Sequence, residues 1–131
     1  MSAINDAILA VIDMMNATEP FADVTRGALP VGAGLVCEVG PSMPSNEFLD
    51  RSNVTPIDLT LNGKHANLET LSDAMNAIHG ALTRATEYPS GDGWQIVEIS
   101  NQMLPSVIGR EDNNMWLMAS GLYVTVHWFD N

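Results

Sequence analysis

The sequence has very little cysteine. Its single cysteine, Cys37, cannot form a disulfide within the chain, and no Cys/His spacing matches a zinc site. We therefore expect a fold that depends on neither a disulfide nor a structural metal. Cys37 lies among apolar residues, which predicts a buried and unreactive thiol.

Basic residues are also scarce. Five of them stand against sixteen acidic residues, so the formal net charge is −11 and the sequence pI is about 4.2. Nucleic-acid binding depends on lysine and arginine to neutralise phosphates, and anionic membranes attract the same residues. The composition therefore argues against specific nucleic-acid binding and against membrane association. It leaves open whether the acidic surface only keeps the protein soluble or also repels DNA or meets a basic partner.

Targeting signals and long apolar runs are missing too. The first fifteen residues contain no lysine or arginine, and Asn5, Asp6 and Asp13 interrupt their apolar positions, so no signal-peptide pattern is present. No apolar run approaches the ~18 residues needed to cross a bilayer. We therefore expect the protein to be made in the cytoplasm.

What the sequence does contain is enough apolar residues for one core. The chain has 131 residues, of which 46% are hydrophobic, as is typical of a globular domain. No internal repeat is visible and no linker divides the chain. The sequence predicts a single domain that spans residues 1–131.

The most regular pattern is an apolar stripe between residues 67 and 85. Its positions advance by alternating steps of three and four, and they are Leu68, Leu71, Met75, Ile78, Leu82 and Ala85. This spacing predicts an amphipathic helix with Asn67 as its N-cap. A second stripe, from Ile4 to Met15, predicts a first helix that ends before Pro20.

Segments rich in alternating apolar residues predict four strands. They cover residues 35–39, 56–62, 94–100 and part of 115–129. Asn62-Gly63 predicts a turn, and Pro105 should end or bulge the third strand. The last strand should pair antiparallel with the third. The predicted fold class is α+β: an antiparallel, possibly mixed, sheet of about four strands with two helices packed on it, in the order αββαββ.

The sequence does not nominate an active site. His65, His79 and His127 are scattered, and none is fixed near an acid, a nucleophile or a metal ligand. His65 is interpreted as an exposed loop histidine, and His79 as a residue beside the apolar stripe without a chemical role. We therefore predict a protein that is not an enzyme, with no catalytic residue, no cofactor and no metal site.

One combination of short segments is more informative than the order of elements. It consists of Leu59–His65 running into the Leu68 helix, Tyr88-Pro-Ser90, Gln95–Ile99, Pro105 and Trp116. This combination, within a likeness that spans most of the chain from Leu35 onward, resembles the minor capsid or tail terminator (head–tail joining) proteins of tailed bacteriophages.

The resemblance implies a virion structural protein that is made in the host bacterial cytoplasm. Such a subunit forms a ring, usually a hexamer, at the head-proximal end of the tail. The ring terminates growth of the tail tube and joins the tail to the head. Its implied partners are therefore other copies of itself, the tail tube protein and the head connector proteins, while DNA passes through its bore.

A ring of identical subunits needs heterologous contacts, in which one surface of each copy meets a different surface of the next. The loop from Gly40 to Asn53 and the turn from Gly109 to Asn114 are the candidate surfaces, and each scarce arginine there would meet a neighbour's carboxylate. The candidate interface residues are Phe48, Leu49, Arg51, Arg110, Glu111 and Asp112. Phe48 and Leu49 could equally pack on the protein's own core instead of contacting a partner.

Two other classes of function remain open. A small ligand-binding or regulatory α+β module would use an apolar pocket on the sheet. A small enzyme would need an active site that the sequence does not nominate. A ring with a central hole would favour the virion protein, whereas a monomer that binds a metabolite would favour the module.

Overall fold

The computed structural model describes residues 3–39, 54–111 and 113–128. The helices are α1 (Ala3–Asn16) and α2 (Leu68–Thr83). The strands are β1 (Val24–Arg26), β2 (Gly34–Val39), β3 (Val54–His65), β4 (Ser90–Gly91), β5 (Trp94–Arg110) and β6 (Trp116–Trp128). The chain therefore passes through one helix and three strands, and then through a second helix and three more strands.

The six strands of the described residues form one mixed sheet, in the order β1-β2-β3-β6-β5-β4. β1 runs parallel to β2, and the other neighbouring pairs are antiparallel. The α+β class and the antiparallel pairing of the last two long strands are confirmed. The prediction of about four strands in the order αββαββ is wrong because it omits β1 and β4. These strands have three and two residues, too few to show an alternating pattern.

Both helices cover the same face of the sheet. Alternate residues of β3 point towards that face, where Ile57 and Leu59 lie against α1 and Gly63 lies against α2. The core lies between the two layers, as expected when each amphipathic element covers another. Among the described residues, neither helix is long and apolar enough to span a membrane.

The stripe of α2 is confirmed at its central positions. Its fully buried apolar residues are Leu71, Met75, Ile78 and Leu82. Leu68 and Ala85, at the two ends of the predicted stripe, are only half-buried. The predicted cap is also confirmed, since the side-chain oxygen of Asn67 accepts a hydrogen bond from the backbone N–H of Thr70 at 3.0 Å.

The predicted turn at Asn62-Gly63 is wrong, because both residues lie inside β3. Gly63 allows α2 to approach the strand closely. A Cβ atom at this position would lie 2.6 Å from Cδ1 of Leu71 and 2.9 Å from Cδ2 of Leu35. The glycine therefore permits helix-on-strand packing instead of chain reversal.

Cys37 is fully buried in β2, as predicted. Burial raises the pKa of its thiol to about 12, with a smaller contribution from the neighbouring Glu38 carboxylate. Because the thiolate is the reactive form, the side chain is inert at neutral pH.

Candidate assembly interface

The two longest strands of the sheet, β5 and β6, form a hairpin. The two strands pair from Trp94 opposite Trp128 to Arg110 opposite Trp116, with register shifts at four places along β5. One shift lies between Met103 and Ser106 and contains Pro105, so the predicted bulge is confirmed. The bulges let β5 continue well beyond the point where a regular strand would end at proline.

The tip of this hairpin carries the described part of the predicted turn. The N–H of Glu111 donates to the carbonyl oxygen of Met115 at 2.8 Å, and the N–H of Asn114 donates to that of Glu111 at 2.9 Å. Asn114 has φ 67°, in the left-handed region that asparagine tolerates. The predicted polar turn is confirmed for Glu111 and Asn114, whereas Gly109 and Arg110, which the prediction included, lie in β5.

Two predicted interface residues, Arg110 and Glu111, lie at the hairpin tip, and each contacts another part of the same chain. The guanidinium carbon of Arg110 lies 4.6 Å from the centroid of the Trp116 ring, in cation–π geometry. Glu111 forms an ion pair with Lys64, at 3.1 Å from Oε1 to Nζ. Arg110 is exposed, so its outer side can still meet another carboxylate.

The other predicted interface residues cannot be placed. Phe48, Leu49, Arg51 and Asp112 lie outside the described residues. Whether they lie near the hairpin tip is therefore still a prediction.

Lys64 connects three segments around the hairpin tip. Its ammonium group donates to both carboxylate oxygens of Glu111 and to the carbonyl oxygen of Val31 at 3.3 Å. The lysine side chain is 5% exposed, whereas that of Glu111 is 37% exposed. A charge that is nearly removed from water needs such partners, so the contact fixes the tip relative to β3 and to the loop before β2.

A set of exposed apolar side chains on β5 was missed in the sequence. We call it the β5 apolar strip, and its members are Met103, Leu104, Val107 and Ile108. Leu104 and Ile108 are 62% and 61% exposed, while Met103 and Val107 are 41% and 46% exposed. The sequence signal was an apolar run without alternation on both sides of Pro105, which is unusual for a half-buried strand.

Most of the outer edge of β5 has no partner strand within the described segments. β4 pairs only with Trp94 and Gln95 at the start of the strand, and the N–H of Ile96 donates to the carbonyl oxygen of Pro89. Beyond this point no strand of the described segments pairs with the outer edge of β5. An exposed apolar edge strand presents a template for pairing with another chain.

The opposite edge of the sheet is blocked by a side chain. The Oδ1 atom of Asn16 accepts from the N–H of Val24 at 2.7 Å, and its Nδ2 atom donates to the carbonyl oxygen of Val24 at 3.3 Å. Arg26, the last residue of β1, forms a salt bridge with Glu38. A three-residue strand that ends in a charge and is capped by an amide is poorly suited to pairing.

A buried polar network links α2 to β5 and β6. His79 is 3% exposed, with Nδ1 2.8 Å from Oδ1 of Asn101 and Nε2 2.7 Å from Oγ of Ser120. Ser120 Oγ also lies within hydrogen-bond distance of the carbonyl oxygen of Leu61, at 3.1 Å. Desolvation lowers the pKa of His79, although the Asn101 hydrogen bond opposes this, so the ring is neutral at pH 7.

The order serine, histidine, amide resembles a hydrolytic triad, but the surroundings differ from those of an active site. Ser120 is 1% exposed, so a substrate cannot reach its oxygen in this conformation. In the neutral ring, Nδ1 donates to Oδ1 of Asn101, so Nε2 accepts from the Ser120 hydroxyl, as in a hydrolytic triad. The burial of Ser120 is therefore what distinguishes this network from an active site. The network is better explained as a satisfied polar contact between helix and sheet. The spacing in the sequence placed His79 beside the apolar stripe and did not predict that it is buried.

The described residues contain no group of three side chains suited to a metal ion. The gap between α1 and the sheet is too small for a water molecule. The wider cavities are open surface clefts, and one of about 430 Å³ is lined by Thr86, Glu87, Tyr88, Gln95, Ile96 and Val97. Such a shallow cleft differs from the enclosed apolar pocket that a small-ligand module would use.

The chain matches no protein-family model and no curated protein sequence. Its fold is similar to that of a chain in the solved structure of the virion of a native gene transfer agent particle. The TM-score is 0.64 and the sequence identity is 14%, over 97% of this chain and 99% of the other. The two chains thus share a fold along almost their whole lengths.

Proposed function

We propose that this chain is a non-enzymatic structural protein of a phage-like virion. The observation that carries the proposal is the fold likeness, which leaves almost no part of either chain unmatched. The open β5 edge and the closed environment of Ser120 agree with a protein that works by association.

Within the virion, we propose that it is the tail terminator. Copies of the chain form a ring, a hexamer in this proposal, at the head-proximal end of the tail. The ring ends growth of the tube, binds the tail tube protein and the head connector proteins, and lets DNA pass. The net charge of −11 supports a bore that does not hold DNA by its phosphates.

Native mass measurement and electron microscopy test this function. We expect a ring with a central hole, either for the purified chain or after addition of the virion's tail tube protein. Gold labelling of the tagged chain should mark the head–tail junction of assembled particles. A strict monomer under both conditions, with a small molecule bound in the Thr86–Val97 cleft, would contradict the virion function and favour a ligand-binding module.

The predicted contact of Arg110 with a neighbouring carboxylate can be tested by charge reversal. We expect Arg110→Glu to weaken each subunit contact by about 1 kcal/mol, or about fivefold in dissociation constant, because an exposed ion pair becomes a repulsion. Sedimentation velocity over a concentration series measures this change.

Arg84→Glu is the matched control, since Arg84 is an exposed arginine at the end of α2 and its reversal changes the net charge equally. Circular dichroism of both variants checks that the monomer is folded, because Arg110 also stacks on Trp116. Equal weakening by the two reversals would show that Arg110 makes no specific contact.

A further inference from the structure

We propose that the outer edge of β5 between Val97 and Gly109, together with the β5 apolar strip, is the contact surface for a second copy of this chain. This inference deepens the proposed function, since a ring requires a contact between copies. It does not depend on ring closure, because the same edge can also join two copies as a dimer.

The geometry of the edge supports pairing with another chain. The stretch from Val97 to Gly109 belongs to β5, and its inner edge is paired with β6 except at the four register shifts, one of which contains Pro105. Its outer edge has no partner strand among the described residues. Burying the β5 apolar strip removes apolar surface from water, and backbone hydrogen bonds along the edge would fix the direction of the partner.

The charge pattern indicates that the partner is another copy. Between Val97 and Gly109 the strand contains a single charged residue, Glu98 near its start, although the whole chain has a net charge of −11. Two such chains repel each other wherever carboxylates meet, so a surface with few charges suits their contact. Arg110 follows this stretch directly and adds a positive charge that another acidic copy would attract.

The blocked edge at β1 limits how two copies of the chain can contact each other. Because Asn16 occupies the backbone groups of Val24, β5 of one copy does not extend the sheet of the next copy through β1. In a ring, β5 therefore contacts a different surface of its neighbour. In a twofold dimer it meets β5 of the other copy.

Leu104→Glu tests the surface with little effect on the monomer's core, because Leu104 is 62% exposed. We expect the apparent dissociation constant of self-association to rise about tenfold or more, since a charge must then be buried against an apolar strand. Leu9→Glu is the matched control, because Leu9 is 51% exposed on α1. Sedimentation velocity and native mass measurement report the assemblies, and circular dichroism reports folding.

Hydrogen exchange on the unmodified protein provides a second measurement. As its concentration rises, amides between Val97 and Gly109 should become protected, while the exposed amides of the loop before β2 should not. This measurement does not depend on whether a variant folds.

The outcomes separate the two proposals. If Leu104→Glu dissociates the wild-type assembly and Leu9→Glu leaves it intact, the proposal that β5 is the contact surface is supported. This holds for a ring and for a dimer, but a dimer would contradict the proposed ring. If the Leu104→Glu variant forms the ring as well as the wild type does, the proposal that β5 is the contact surface is wrong, whereas the proposal of a ring stands. Equal loss in both variants, or a wild-type monomer without concentration-dependent protection, also overturns the proposal that β5 is the contact surface.

Discussion

Replacing Leu71 with alanine is expected to lower the free energy of unfolding by about 2–5 kcal/mol. Leu71 is fully buried where α2 crosses β3, and its Cδ1 atom occupies the space that the missing Cβ of Gly63 leaves open. Truncation would remove apolar contacts and leave a cavity, because the glycine cannot fill it. Urea unfolding followed by tryptophan fluorescence measures the loss.

Leu9→Ala provides the same chemical change outside the core. Leu9 is 51% exposed on α1, so its truncation should change the free energy of unfolding by less than about 0.5 kcal/mol. If the two substitutions had equally small effects on the free energy of unfolding, α2 would not pack on β3 through Leu71 as described.

The second large effect concerns His79 and pH. The pKa of His79 is lowered in the folded protein, first by burial, from an ordinary value of 6.5. The unfolded chain therefore binds the proton first as pH falls below 6.5, so stability is lost between that pH and the lower folded pKa. Above 6.5 this contribution is fully present and does not change with pH.

His79→Gln removes the titration and keeps a side chain that can form hydrogen bonds. At pH 7.5 we expect the variant to be less stable than the wild type by about 1–3 kcal/mol, because the contacts to Asn101 and Ser120 are disturbed. The difference should narrow as pH falls from 6.5 to 5.0, measured by urea unfolding at each pH. His65 and His127 are present in both proteins and cancel in the comparison. A difference that stays constant over this range would show that His79 is not a neutral buried group.

The elements that the sequence predicted well are those whose causes are local. The stripe of α2, its Asn67 cap and the bulge at Pro105 follow from spacing, side-chain chemistry and a missing N–H. β1 and β4 could not be predicted because they exist only through their partner strands. Gly63 was misread for a related reason: a turn and a close helix crossing both require glycine, and only the tertiary fold distinguishes them.

The candidate interface also contains features that the sequence predicts locally and features that only the tertiary fold reveals. The turn after Arg110 was predictable from its polar residues, whereas its contact with Lys64 joins residues 47 positions apart and has no local signal. The β5 apolar strip was visible as an apolar run, but its exposure depends on the bulges and on the lack of a neighbouring strand within residues 3–39, 54–111 and 113–128. The burial of His79 likewise depends on Ser120, which is 41 positions away.

The burial of Lys64 affects how the proposed assembly can be tested chemically. It is the chain's only lysine, and its amine is enclosed by Glu111 and Val31. Amine-reactive cross-linkers therefore find no exposed lysine on the folded subunit, and a lack of lysine cross-links between this chain and its neighbours would carry no structural information. Carboxylate-directed cross-linking, which can use the sixteen acidic residues, is the appropriate chemistry for testing the proposed assembly.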